Sequence, residues 1–162
     1  MKKSILLFLL PFWFFTSCVK MEFNENYGTG GNGNNNNDTT GNVITGKISA
    51  NRSFKQGKYV LKGYVYVTNN AVLTFDPGCV IVSDNTEKGA LIIERGSKLI
   101  AEGTAFNPII FTSGKPAGSR APGDWGGIIL LGKAPTNRPQ SPEPIIEGGV
   151  NRGYGGTDPN DN

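Results

Sequence analysis

Apolar and polar residues alternate in short runs between Gly63 and Ser113, and the pattern occurs twice. Alternation with a period of two predicts β-strands with one buried face. An offset of about 26 residues aligns the two runs. It sets Val65, Val67, Leu73 and Phe75 against Leu91, Ile93, Leu99 and Ala101. A repeat of this length made of short strands predicts a stack of coils and not a closed globule.

Each coil is predicted to contain three short strands separated by turns. Gly, Asn and Pro occupy the intervening positions, where they favour turns. The predicted strands cover 64–68, 72–75 and 79–82 in the first coil, then 91–94, 98–101 and 109–112 in the second, with later strands at 128–131 and 145–147. Inward side chains of successive coils should then stack at about the 4.8 Å spacing of neighbouring strands.

The segments before, between and after the predicted strands also have expected roles. Residues 43–62 alternate poorly and are expected to cap the first coil, while coils with loop insertions at 113–127 and 133–144 should occupy residues 63–162. The last residues are rich in Gly, Asp and Asn and supply no closing element. We therefore expect an incomplete solenoid, the N-terminal coils of a longer protein.

The N-terminus has the features of an export leader. Lys2 and Lys3 precede an apolar segment over 5–15 that is short for a bilayer span. Residues 15–18 resemble a bacterial lipobox, which predicts a signal peptide over 1–17 and a lipid-modified Cys18. An uncleaved anchor and an ordinary signal peptide are the alternatives. Acyl chains would then hold the mature protein in the membrane.

Residues 18–42 are predicted to form a disordered tether, because their Asn, Gly, Thr and Asp side chains have little apolar surface to bury. Asp38, Thr39 and Thr40 resemble a three-residue O-glycosylation site of Bacteroidetes secreted proteins, which makes Thr39 a candidate modification site.

Composition excludes several functions. The formal net charge of +3 falls to about +1 without Lys2 and Lys3, so no polybasic patch and no nucleic-acid partner are expected. Histidine is absent, which excludes Ser-His and Cys-His catalysis within this chain.

If Cys18 is modified, Cys79 has no partner and is expected to be a small buried residue. Nucleotide binding is not expected either. Residues 127–134 partly match the phosphate-binding pattern G-x-x-x-x-G-K-[ST], but Ala134 lacks the Ser or Thr hydroxyl of the last position and Pro135 blocks the helix that should follow.

A run of motifs resembles the large secreted and lipid-anchored right-handed parallel β-helix proteins of Bacteroidetes. The motifs are residues 63–67 and 75–78 (GYVYV, FDPG), 91–96 (LIIERG), 101–104 (AEGT), 108–113 (PIIFTS), 123–128 (GDWGGI) and 154–156 (YGG). The resemblance implies an all-β, pectin-lyase-like right-handed parallel β-helix on a lipid-anchored, extracytoplasmic protein of the outer membrane or cell surface, continuing past Asn162. Members of the family mostly lack an assigned activity.

Candidate contacts lie on the predicted loops. Arg120, Asp124, Trp125 and Tyr154 are candidate ligand-contact residues, since aromatic rings stack on sugars. Trp125 packing over the coil edge as a lid is the alternative. Asp158, Asn160 and Asn162 have the oxygen-rich alternation of a calcium loop, although a solvated turn is the preferred interpretation. No other cofactor is expected.

No catalytic residue is assigned. A polysaccharide lyase would need clustered carboxylates for calcium and an Arg or Lys base. The available groups are Asp124, Glu147, Arg120, Arg138 and Arg152, and no two of the carboxylates share a strand face.

Three hypotheses remain from the sequence. The first is a non-enzymatic scaffold for adhesion or contact with a polysaccharide, host or matrix surface. The second is part of a carbohydrate-active enzyme whose catalytic coils lie beyond Asn162, and the third is a structural spacer.

Overall fold

The computed structural model describes residues 42–139 and 143–161. The predictions for the signal peptide, Cys18, the tether, Thr39 and Asn162 therefore lie outside the described residues. The strands are β1 Val43–Ile44, β2 Lys47–Ile48, β3 Arg52–Phe54, β4 Lys58–Leu61, β5 Tyr64–Val67, β6 Val72–Phe75, β7 Val80–Ser83, β8 Ala90–Ile93, β9 Lys98–Ile100, β10 Ile110–Thr112 and β11 Gly127–Leu130. Nowhere in this described part is there a helix with the length and apolar character to cross a bilayer.

The strands form three parallel sheets, and each successive coil adds one strand to a sheet. Sheet A has the order β1-β4-β7-β10, sheet B has β11-β8-β5-β2, and sheet C has β3-β6-β9. Every pairing between these strands is parallel, which confirms the predicted all-β parallel β-helix. Val65 lies beside Leu91 and Leu73 lies beside Leu99, which confirms the offset of 26 residues.

Inward side chains fill the centre of the stack. Val65, Leu73 and Leu91 are completely buried, as the alternation predicts. Phe54 and Phe75 are neighbours in sheet C and stack with ring centroids 5.1 Å apart, while the half-buried Phe111 of sheet A meets Phe75 edge-on at 5.5 Å. Aromatic contacts therefore join coils both within a sheet and between sheets.

The corners bond one coil to the next. Asn69 and Asn70 both have positive φ, at 58° and 54°, a conformation that Asn tolerates better than most residues. The Asn69 side-chain amide donates to the Ser49 carbonyl at 3.2 Å, and the Val72 N–H donates to Asn51 Oδ1 at 2.9 Å. These corners therefore hold the strands in register as well as turning the chain from one sheet to the next.

Residues 43–62, expected as a cap, contribute strands of their own. They contain β1 to β4, and β1, β2 and β3 lie at one end of sheets A, B and C. Their poor alternation reflects strand length, because β1 and β2 have only two residues each. We call this end of the stack the N-terminal end.

Residues 143–161 return to the outside of sheet B and do not continue the coils. Ile145 forms an antiparallel bridge with Gly153, so the short parallel strand expected at 145–147 is absent from the described residues. Val150 packs with the outward side chains Ala90 and Ile92 of β8, both of which are buried. All four residues of β8 are apolar, so its outer face also needs a cover.

Candidate functional site

The loop between β10 and β11 is organised around one carboxylate. It spans residues 113–126, one residue shorter than predicted, because β11 begins at Gly127. Asp124 is nearly buried and accepts hydrogen bonds from the Ser113 hydroxyl at 2.8 Å and the Ala121 N–H at 2.9 Å. Lys115 Nζ lies 2.5 Å from Asp124 Oδ1. The start, middle and end of the loop therefore meet at Asp124.

These donors stabilise the ionised carboxylate. The hydrogen bond from Lys115, followed by those from Ala121 and Ser113, lowers the pKa of Asp124 from 3.8 to about 2. The carboxylate is therefore ionised at neutral pH and committed to holding the loop.

The loop should loosen in acid. Because the folded pKa lies below the unfolded one, the contribution of Asp124 to stability is present above about pH 4 and is lost as the pH falls towards 2. We expect the protection factor of the Ala121 N–H, its exchange rate relative to the intrinsic rate at the same pH, to fall over this range in the wild type. In Asp124→Asn protection should be low already at pH 7, whereas Glu102→Gln on a different loop should behave as wild type. An identical pH profile in Asp124→Asn would contradict the assigned role.

Arg120 and Trp125 lie on this loop beside Asp124. The exposed Arg120 donates from Nε to the Lys115 carbonyl at 3.0 Å and from Nη1 to Thr112 Oγ1 at 3.3 Å. Trp125 is half-buried and stacks on Phe111, with centroids 6.4 Å apart and planes at 9°. This stacking agrees with Trp125 packing over the coil edge, and it leaves part of the indole accessible.

Tyr154 lies apart from this loop in the chain and in its packing. It belongs to the segment that covers sheet B, where its ring packs beside Ile146 and Val150. Its N–H donates to the Pro144 carbonyl at 3.0 Å. Of the four candidate contact residues, Arg120, Asp124 and Trp125 thus share one loop, and Tyr154 has a role in the cover.

Sequence reasoning did not identify a shallow cationic depression beside that cover. Its volume is about 290 Å³, and Arg95, Lys133, Gly155, Gly156, Thr157 and Asp158 line it. Arg95 donates from Nη1 to the Gly155 carbonyl at 3.0 Å and forms an ion pair with Glu143. The two cations are far apart in the sequence, so no local motif could have joined them.

Two carboxylates on this side of the molecule, Glu94 and Glu143, are paired with arginines. Glu94 accepts from Arg152, whose guanidinium carbon also lies 4.3 Å from the centroid of the Tyr66 ring. Among the described residues, no three His, Cys, Asp or Glu side chains are placed to hold a metal ion. They therefore do not fit the carboxylate cluster that a calcium-dependent lyase would need.

The predicted calcium loop and Cys79 have local explanations. Asp158 Oδ1 accepts the Asn160 N–H at 3.0 Å, and an Asp161 carboxylate oxygen accepts the Lys133 N–H. Calcium binding stays a prediction, since Asn162 is outside the described residues. Cys79 is buried and unpaired, and its thiol donates to the Lys55 carbonyl at 3.2 Å. Burial raises the pKa of this thiol.

The comparisons with known proteins give one match. A family model described as a pectate-lyase-like β-helix domain matches residues 46–162. No curated protein and no solved structure matches the chain.

Proposed function

The chain belongs to the pectate-lyase-like β-helix domain family, and from that premise we propose that it is a surface lipoprotein whose β-helix is a non-enzymatic scaffold for contact with a glycan. The observation that carries this proposal is the loop at 113–126. The hydrogen bonds to Asp124 hold this loop in shape. Arg120 and part of the Trp125 indole are exposed to solvent on the same loop. A rigid loop loses little entropy when it binds, which favours recognition.

The side chains available suit an acidic polysaccharide. An indole face stacks on the apolar face of a sugar ring, and a guanidinium donates two parallel hydrogen bonds to a carboxylate. Lys133 adds a further cation in the depression beside residues 155–158, where Arg95 is already paired with Glu143. A glycan that carries carboxylates would therefore meet positive charge at both places.

Existing ion pairs favour binding over catalysis. Asp124 is held by Lys115, Glu94 by Arg152, and Glu143 by Arg95. A lyase would need carboxylates free to hold calcium and an Arg or Lys free to act as base, whereas each of these carboxylates is already paired with a cation and each of these cations with a carboxylate. This arrangement supports a scaffold that presents cations and an aromatic ring to a ligand.

Glycan binding is tested with the full chain on an array of acidic and neutral polysaccharides. Arg120→Ala and Trp125→Ala should each weaken binding to an acidic polysaccharide about fivefold to tenfold, the loss typical of truncating an important contact. Phe106→Ala is the matched control, because Phe106 is 94% exposed on a different loop.

Two outcomes would contradict this function. One is an equal loss of binding in Phe106→Ala, which would indicate non-specific adsorption. The other is accumulation of unsaturated sugar products, detected by ultraviolet absorbance, when polygalacturonate is incubated with the protein. That result would favour the lyase hypothesis, since elimination leaves a double bond in the product.

Lipid anchoring is tested separately at Cys18. The proposal rests on the lipobox resemblance, and thioether-linked acyl chains would hold the mature chain in the membrane. We expect the wild-type protein to sediment with membranes and to label with a palmitate analogue, and Cys18→Ala to lose the label completely. Cys79→Ala should keep it, because Cys79 is buried in the coil stack. A Cys18→Ala protein that keeps the label would refute the assignment.

A further inference from the structure

Positive charge is concentrated in the first strands of the β-helix. Residues 42–62 contain five Lys or Arg and no Asp or Glu, whereas residues 63–161 contain eight Lys or Arg and ten Asp or Glu. The small net charge of the whole chain conceals this difference. The expectation of no basic patch, which rested on net charge, therefore does not describe this end of the molecule.

Three of these cations lie around the N-terminal end on three different sheets. Lys47 is in β2 of sheet B, Arg52 is in β3 of sheet C, and Lys58 opens β4 of sheet A. β1 pairs only with the last two residues of β4, Val60 and Leu61. Lys58, the first residue of β4, therefore lies outside the part of β4 that pairs with β1. All three residues are exposed. We call Lys47, Arg52 and Lys58 the end cations.

The end cations differ from their basic neighbours in their partners. Lys55 pairs with Asp76 at 3.1 Å and Lys62 with Glu87 at 3.2 Å, so acids of the next coils neutralise them. Among the described residues, no acid lies within ion-pair distance of the end cations. Arg52 contacts an aromatic ring, with its guanidinium carbon 4.5 Å from the Phe54 centroid.

We propose that the N-terminal end of the β-helix binds an anionic lipid surface through the phosphate headgroups. Cations on three sides of one end suit a flat surface approached end-on, whereas a linear polysaccharide would follow one face of the stack. The described part of the chain also begins at this end, at residue 42. The contact goes beyond the proposed glycan binding and needs no acyl chain.

The expected effect is set by membrane electrostatics. A Lys or Arg near an anionic leaflet strengthens binding about fivefold, equivalent to about 1 kcal/mol. Removing Lys47 and Lys58 should therefore weaken binding about 25-fold. Salt should weaken wild-type binding too, because exposed charges are screened beyond the Debye length.

The test uses the full chain carrying Cys18→Ala, so that no acyl group contributes. Sedimentation with phosphatidylcholine vesicles, with and without phosphatidylglycerol, measures the anionic component of binding. Lys47→Gln/Lys58→Gln is compared with Lys88→Gln/Lys98→Gln, which makes the same change in charge at exposed residues of later coils. The first pair should lose about 25-fold on the anionic vesicles, and the second should stay within about twofold. Circular dichroism verifies that both variants fold.

Two results would overturn the proposal. If both double variants lose affinity equally, the attraction follows net charge and not the N-terminal end. If Lys47 and Lys58 affect binding to polygalacturonate and not to vesicles, the end binds a polysaccharide. Arg120→Ala and Trp125→Ala should leave vesicle binding unchanged, so failure of the glycan proposal and failure of this one give different results.

Discussion

Phe75→Ala is expected to reduce the free energy of unfolding by about 3 to 5 kcal/mol. The ring is 2% exposed, stacks on Phe54 and meets the edge of Phe111. Removing it opens a cavity and breaks aromatic contacts between coils. Because Phe111 in turn stacks on Trp125, the loop at 113–126 should also become more mobile.

Urea unfolding followed by far-ultraviolet circular dichroism measures this loss. Phe106→Ala makes the same chemical change at a ring that is 94% exposed and should shift the free energy by no more than about 0.5 kcal/mol. Equal destabilisation by the two substitutions would contradict the assignment of Phe75 to the interior. Acrylamide quenching of Trp125 fluorescence, in a Trp13→Phe background, reports the effect on the loop.

Gly89→Ala is expected to cost about 1 to 3 kcal/mol through steric conflict alone. A Cβ at this position would lie 2.8 Å from Leu61 Cγ and closer still to the Leu61 carbonyl oxygen. That carbonyl belongs to the backbone of the adjacent coil and accepts the Asp84 N–H at 2.8 Å, so it cannot move without disturbing the pairing. Gly89 also links two coils, because its carbonyl accepts the Gly126 N–H at 2.8 Å.

Gly57→Ala is the matched control for this prediction. Its Cβ would come no closer than 3.4 Å to any heavy atom, which is ordinary contact, and its φ is not positive. Its melting temperature should therefore stay close to that of the wild type, while that of Gly89→Ala falls by several degrees. If Gly57→Ala is the less stable variant, the close approach at Gly89 does not limit stability.

Local pattern was sufficient for the strands and their register. Alternation along 64–67 and 72–75 indicated which side chains face inward, and the repeat indicated that Val65 stacks on Leu91. Both are properties of neighbouring residues and of a fixed period, so the sequence contains them directly. The loop at 113–126 was also visible, as an interruption of that period.

The grouping of the candidate site residues was only partly predictable. Arg120, Asp124 and Trp125 are close in sequence and do share a loop, but the bond between Asp124 and Lys115 depends on how that loop closes. Tyr154 was grouped with them because it also lies on a loop. The run of four apolar residues at 90–93 could have indicated a strand buried on both faces, and hence a cover.

Alternation, period and corner residues were enough to predict a parallel β-helix, because they act between near neighbours and leave few other arrangements. Where the chain leaves the repeat depends instead on tertiary packing. Residues 143–161 return over sheet B because Ala90 and Ile92 present apolar surface there, and Arg95 thereby meets Lys133 and Glu143. The end cations likewise lie around one end because β1, β2 and β3 end the three sheets together and β1 does not pair with the first residues of β4. Contacts between residues that are distant in the sequence depend on the path of the whole chain, which no local pattern encodes.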